Sequence, residues 1–239
     1  MKRILKKYRG FTLIELITVI TIIVILAGLI LSVAGYVQRK GATSRAQAEI
    51  KAMEAALESY KADNGAYPDD GTTSGSNTYV GGVCANLDAK KMGNPTAASI
   101  AGLSGTTSYS GASVILYRAL SGDTNCDGSV NVADESVSLS GSSQSSTNII
   151  PTVYMPFTPG QLKTATGSTI ISASNMVTAI ADPFGYSYGY STAYNGDIQT
   201  SGTATHGYNP TYDLWSTTGN LTNPPSGTDT VTPTWITNW

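Results

Sequence analysis

The apolar residues of this chain fall into two patterns, one continuous and one periodic. From Leu16 to Val37 no residue is charged, a run of 22. Wound as an α-helix the run measures about 33 Å, which matches a bilayer hydrocarbon core of roughly 30 Å. Beyond it the pattern becomes periodic. Ile50, Met53, Leu57 and Tyr60 recur at three- and four-residue spacing, and Ala46, Ala52, Ala55, Ala56 and Ala62 favour helix throughout. Arg45, Glu49, Lys51, Glu54, Glu58 and Lys61 are assigned to the opposite, solvated face. Asn64 and Gly65 supply a stop signal, with Pro68 just beyond. One helix over 11–65 is therefore expected. From Phe11 to Asp63 it would measure about 80 Å, too long for a single globular domain.

The second part, 66–239, is patterned more weakly. Asp70 to Gly111 is rich in Gly, Ser, Thr and Asn and reads as loop with one short helix near Cys84 to Lys91. A second short helix is expected at Ser113 to Leu120, and short strands at Val153 to Phe157 and Ile170 to Ser172. Tyr186, Tyr188 and Tyr190 alternate as on one face of a strand after a turn at Asp182 to Gly185, a stripe that suits sheet packing better than a sugar platform. The tail, 221–239, has spaced Thr and Pro and carries Trp235 and Trp239, which either lie along the sheet or leave it flexible. The fold class that results is α+β: a long N-terminal helix packed on a small antiparallel β-sheet head.

Charge orders these parts further. Lys2, Arg3, Lys6, Lys7 and Arg9 precede the apolar run without an acid, whereas from Pro68 onward four basic residues face eleven acidic ones. The basic start holds its end of the span on the cytoplasmic side and places the remainder outside. The acidic head argues against nucleic acid as a partner. An exported head permits a disulfide between the two cysteines, Cys84 and Cys126. The lone histidine, His206, reads as a surface or hydrogen-bonding residue. No Ser-His-acid arrangement, nucleotide loop or zinc spacing is present, so an enzyme is not expected.

The opening stretch does not fit a cleaved secretory signal, because the apolar run passes through Ser32, Val33, Ala34 and Gly35 straight into the helical pattern. A plain membrane anchor leaves Glu15 unexplained, since a carboxylate at this depth needs a positive partner. Arg9, Gly10, Phe11, Thr12, Leu13, Ile14 and Glu15 resemble the leader boundary of type IV pilins and type II secretion pseudopilins. That resemblance implies cleavage by prepilin peptidase between Gly10 and Phe11 and methylation of the new amino terminus. The amine on Phe11 would then neutralise Glu15 of a neighbouring subunit in a filament core. The leader is then 1–10. The proline usual in the family's helix falls on Ser32 here, which leaves the position of any bend open. Tyr60 to Pro68, YKADNGAYP, resembles the helix exit of the major type II secretion pseudopilins, and Asp182 to Gly185 resembles their Asp-Pro-Trp-Gly turn, with Phe184 in place of Trp.

Two segments carry candidate cation ligands. In GDTNCDGSVNVADES, Asp123, Asn125 and Asp127 occupy alternating positions, Gly128 allows a sharp turn, and Ser129, Asn131 and Asp134 complete a twelve-residue loop, 123–134. Hard oxygen ligands at this spacing suit calcium. The loop resembles the calcium loop of dockerin modules, although one loop does not make a dockerin and no cohesin partner is implied. Cys126 lies inside it, where a bridge to Cys84 would tether the excursion. Tyr212 to Ser216 resembles the start of the calcium loop in the major pseudopilins, so Asp213, Ser216 and Asn220 form a second, weaker candidate set.

A structural subunit of a type II secretion pseudopilus unites the leader, Glu15, the long helix and the cation loops. Its partners would be copies of itself, related pseudopilins or pilins, prepilin peptidase and the inner-membrane assembly platform. It would cross the inner membrane once with its head in the periplasm, then join a filament that supports protein export. The alternatives are a type IV pilus subunit for adhesion or motility, and a membrane-tethered module that binds an extracellular ligand.

Overall fold

In the computed structural model the described residues are 10–68, 108–130, 152–164, 166, 171–172, 175–204, 206–218 and 235–239. Helix α1 runs Leu13–Asn64, 52 residues, continuous through Gly28, Ser32 and Gly35. The Ser32 hydroxyl donates to the Leu29 carbonyl at 2.7 Å. Gly65 ends the helix in the left-handed region at φ 78° and donates its N–H to Lys61 O at 2.8 Å, closing one of the last unpaired carbonyls. The chain divides into two units at Ala42 and Thr43. In the first, the apolar side chains from Leu13 to Val37 are exposed.

The second unit has its own core. Ala46, Ile50, Met53, Ala56 and Leu57 of α1 are buried in it together with Val114, Leu116 and Leu120 of helix α2, Ser108–Ser121. The periodic stripe therefore faces the head as expected, and α2 extends the predicted Ser113 to Leu120 at both ends. One assignment to the solvated face is corrected: the Glu49 side chain is only 11% exposed.

Five short strands complete the head among the described residues. Strands β1, Leu162–Thr164, and β2, Val177–Ile180, pair antiparallel with a register irregularity between Lys163 and Thr164. Strands β3, Gly189–Ser191, β4, Asp213–Ser216, and β5, Ile236–Thr237, form an antiparallel sheet with β4 central. A short helix α3, Ala193–Ser201, connects β3 toward β4. The turn at Asp182 forms as expected: Gly185 N–H donates to Asp182 O at 2.9 Å, and the Asp182 carboxylate accepts the N–H groups of Phe184 and Tyr186. The tail's end pairs through β5 with β4, and Trp235 stacks parallel to Trp215 at 6.3 Å.

Two expected strands do not appear among the described residues. At Val153 to Phe157, Tyr154 and Met155 both donate their N–H to the Leu120 carbonyl, at 2.8 and 3.0 Å. The segment thus closes the end of α2 rather than joining a ladder, and Pro156 brings no donor of its own. Ser172 makes an isolated bridge to Asn175, while Ile170 lies outside the described residues. The helix expected near Cys84 to Lys91 also lies outside them.

Ser113 joins α2 to the sheet. Its buried hydroxyl accepts the Ile180 N–H at 2.8 Å, which satisfies a backbone donor of β2 that no strand reaches.

Candidate functional site

At the start of α1, Thr12 and Glu15 bond reciprocally. Glu15 Oε2 accepts the Thr12 N–H at 2.9 Å and its hydroxyl at 2.7 Å, while Thr12 Oγ1 accepts the Glu15 N–H at 3.3 Å. This is a capping box, in which two helix-end donors are satisfied by side chains three residues apart. The signal for it, Thr-x-x-Glu before an apolar run, stands in the sequence at Thr12 to Glu15. The box holds the carboxylate at the first turn of the helix, beside Gly10 and Phe11. Both of those residues are exposed.

The Asp123 loop is built around one buried carboxylate. Asp123, 1% exposed, accepts the Tyr117 hydroxyl at 2.6 Å and the Gly128 N–H at 2.7 Å on Oδ2, and the Asp127 N–H at 3.2 Å on Oδ1. Burial, followed by this bond to Asp123, pushes the Tyr117 hydroxyl well above the usual tyrosine range, so it stays a donor. Asn125 Nδ2 donates to Asp127 Oδ2 at 3.2 Å, and Asp127 Oδ1 accepts the Ser129 N–H and hydroxyl at 2.9 and 2.8 Å. The structure thus brings Asp123, Asn125, Asp127 and Ser129 into one hydrogen-bonded turn. Gly128 is required on two counts: its φ is 86°, and a Cβ there would fall 2.7 Å from Ile171 Cγ2. Asn131 and Asp134 lie outside the described residues.

The donor set consists of carboxylate, amide and hydroxyl oxygens, which fits a hard cation such as calcium and not zinc. Among the described residues no group of three or more His, Cys, Asp or Glu side chains gathers to hold an ion. The described part of the loop holds two carboxylates, Asp123 and Asp127. Cys126 is buried and has φ 64°, and its carbonyl accepts the Val177 N–H at 2.8 Å, anchoring the loop to β2. Its proposed partner, Cys84, lies outside the described residues.

Asp213 and Ser216 have different hydrogen-bond partners. Both are buried on the central strand β4. Asp213 accepts the N–H groups of Tyr208 and Asn209 at 2.8 and 2.9 Å, whereas the Ser216 hydroxyl donates to Asp182 Oδ2 at 2.6 Å. Each carboxylate holds a loop, one at each end of the strand. Asn220 lies outside the described residues. His206 is a hydrogen-bonding residue, with Nδ1 2.9 Å from Asp197 Oδ2.

The tyrosine stripe serves packing. Tyr188 and Tyr190 are fully buried, and their hydroxyls donate to Glu49 and to the Pro68 carbonyl, each at 2.7 Å. Tyr186 stays at the edge, 36% exposed.

By length and composition α1 is long and apolar enough to cross a membrane. Residues 5–31 match the family model described as the prokaryotic N-terminal methylation motif. The chain is 44% identical over 62 residues to the type II secretion system core protein G of Escherichia coli strain K12, covering 26% of this chain and 43% of that protein. It is 41% identical over 63 residues to the protein of the same name in Pseudomonas aeruginosa, covering 26% and 44%, and 38% identical over 63 residues to that of Dickeya chrysanthemi, covering 26% and 41%. The chain thus spans less than half the length of these curated relatives. No solved structure matches it. The protein carries the prokaryotic N-terminal methylation motif, and about a quarter of its length is similar to type II secretion system core proteins G.

Proposed function

We propose that this protein is a structural, non-enzymatic subunit of a type II secretion pseudopilus. The observation that carries this reading is the placement of Glu15: one carboxylate, held by a capping box at the first turn of an exposed apolar helix, directly after the Gly10-Phe11 boundary. Prepilin peptidase cuts after Gly10 and the amine of Phe11 is methylated. In the membrane α1 is a single span with the head in the periplasm, delivered to the inner-membrane assembly platform. In the filament the apolar halves of α1 pack on one another, and the Phe11 amine of one copy neutralises Glu15 of the next, which removes the cost of burying either charge alone. Related pseudopilins join the same assembly. Mass spectrometry of the chain expressed with and without prepilin peptidase tests the first step. A mature mass beginning at methylated Phe11 is expected, and an uncut chain overturns the reading.

The loop at Asp123 is proposed as a calcium site, with Asp123, Asn125, Asp127, Ser129, Asn131 and Asp134 as its ligands. Support comes from the convergence of oxygen donors on a turn that Gly128 alone can close. Calcium titration by calorimetry should show at least one ion bound by the wild type and that binding lost in Asp127→Ala. Heat unaffected by the substitution sinks the assignment. A bridge from Cys84 to Cys126 would tether this loop. Asp213, Ser216 and Asn220 receive less support as a second site, because Asp213 and Ser216 already serve separate loops.

A further inference from the structure

A cavity of about 210 Å³ opens beside the Asp123 loop, and most of its lining is apolar, with Val130, Val153, Pro156, Phe157, Leu162 and Ile171 among the contributors. The lining grades from wet to dry. Val130 and Val153 are 38% and 48% exposed and stand at the mouth, whereas Tyr117, Ser121 and Asp123 are buried and close the inner end. Small-molecule sites enclose roughly 300–1,000 Å³, so this smaller cavity suits one long side chain rather than a whole ligand.

The inner end is charged. Every donor that reaches the buried Asp123 carboxylate among the described residues is neutral: the Tyr117 hydroxyl and the Gly128 N–H on Oδ2, and the Asp127 N–H on Oδ1. A buried carboxylate gains most from a charged donor, and neutral ones leave that gain unclaimed. The head as a whole draws cations, with eleven acidic residues against four basic ones from Pro68 onward. The two oxygens are not equivalent. Oδ2 already takes two donors, at 2.6 and 2.7 Å, while Oδ1 takes one, at 3.2 Å. A guanidinium fork needs both oxygens for its paired bonds, whereas an ammonium is a point donor that one oxygen satisfies. An apolar stem that ends in an ammonium is a lysine side chain.

We infer that this cavity binds a lysine side chain of a partner polypeptide, with the methylenes against Val153, Phe157 and Leu162 and the ammonium on Asp123 Oδ1. The partner's flanking backbone then covers Val130 and Val153 at the mouth. The cavity depends on neither the filament reading nor the calcium reading. Where calcium occupies the loop it claims the same carboxylate, so ion and lysine are alternative counter-charges for Asp123.

The test titrates the full chain, in mild detergent and chelator, with the capped peptide Ala-Ala-Lys-Ala-Ala, following the Gly128 N–H by NMR because it bonds to Asp123. Two further peptides carry norleucine, which keeps the stem and loses the charge, or arginine at the centre. The wild type should bind the lysine peptide roughly tenfold or more tighter than the norleucine peptide, and tighter than the arginine peptide. Asp123→Asn should erase the preference for lysine over norleucine. A lysine peptide that fails to bind, or one that norleucine or arginine equals, overturns the proposal, as does a preference retained in a folded Asp123→Asn chain. Should that variant unfold, the three peptides on the wild type still decide. Adding calcium should weaken the lysine peptide. A preference identical in calcium and in chelator upholds the cavity and counts against calcium at Asp123, so the two readings fail separately.

Discussion

The Tyr188 hydroxyl donates to Glu49 Oε2 at 2.7 Å, joining residues 139 positions apart, while Glu49 Oε1 takes Arg45 Nε at 2.8 Å. This relay fixes which face of the second half of α1 meets the head, because the adjacent helical positions would carry the carboxylate about 100° around the axis. A hydrogen bond to a charged acceptor contributes about 1.5–3 kcal/mol. Tyr188→Phe should therefore lower the melting temperature of the detergent-solubilised chain by several degrees. A double-mutant cycle with Glu49→Gln should show coupling between the two positions, and strict additivity would mean the bond adds nothing.

The same tyrosines set the alkaline limit of stability. Burial, then the bond to Glu49, raises the Tyr188 hydroxyl far above its ordinary value. Burial raises Tyr117, followed by Asp123, and it raises Tyr212, followed by the charges of Glu54 and Glu58. In the unfolded chain these groups titrate near pH 10. Raised native values mean that above this pH the native state holds protons the unfolded state has lost, so stability falls as pH rises. The contribution is complete below about pH 10 and decays above it. Melts recorded across pH 8–12 should be flat up to about pH 9.5 and then decline. Tyr188→Phe should shallow the decline, and an unaltered alkaline slope in that variant would contradict the assignment.

Gly189 lies against the indole of Trp215, and a Cβ there would come 2.1 Å from Trp215 Cε2. Both are buried in the sheet, and Trp215 also stacks on Trp235. Gly189→Ala must displace the indole or the strand. It should cost about 1–3 kcal/mol or more as overpacking, with a red shift of tryptophan emission as the stack opens. Wild-type stability and emission in this variant would show that the close approach is not required.

Asp213 offers a way to separate structural from metal chemistry. Its buried carboxylate accepts the part-buried N–H groups of Tyr208 and Asn209, and losing it costs about 1–3 kcal/mol. Asp213→Ala should lower the melting temperature by the same amount in calcium and in chelator. Asp127→Ala, which also removes the loop's bonds to Asn125 and Ser129, should lower it more in calcium than in chelator. A calcium-dependent penalty at Asp213 would instead place a cation at β4.

What the sequence determined by itself was whatever depends on local order. The uncharged run, the periodic stripe from Ala46 to Tyr60 and the Gly65 stop lie on one continuous helix, where spacing alone dictates which side chains share a face. The turn at Asp182 was legible for the same reason, since the Asp carboxylate bonds N–H groups two and four residues ahead. So was the capping box of Thr12 and Glu15, whose partners stand three residues apart. Tertiary structure decided the remainder. Val153 to Phe157 has a strand-like composition, yet the Leu120 carbonyl at the end of α2 captured its N–H groups. Glu49 occupies a polar helical position, yet Tyr188, just ahead of β3, bonds its carboxylate, which is half-buried. Asp213 and Ser216 sit three residues apart as a ligand pair would, yet a central strand turns them to different partners. In each case the deciding group is distant in sequence. Buried donors and acceptors must find partners wherever the fold brings them, and local propensity carries no record of those encounters.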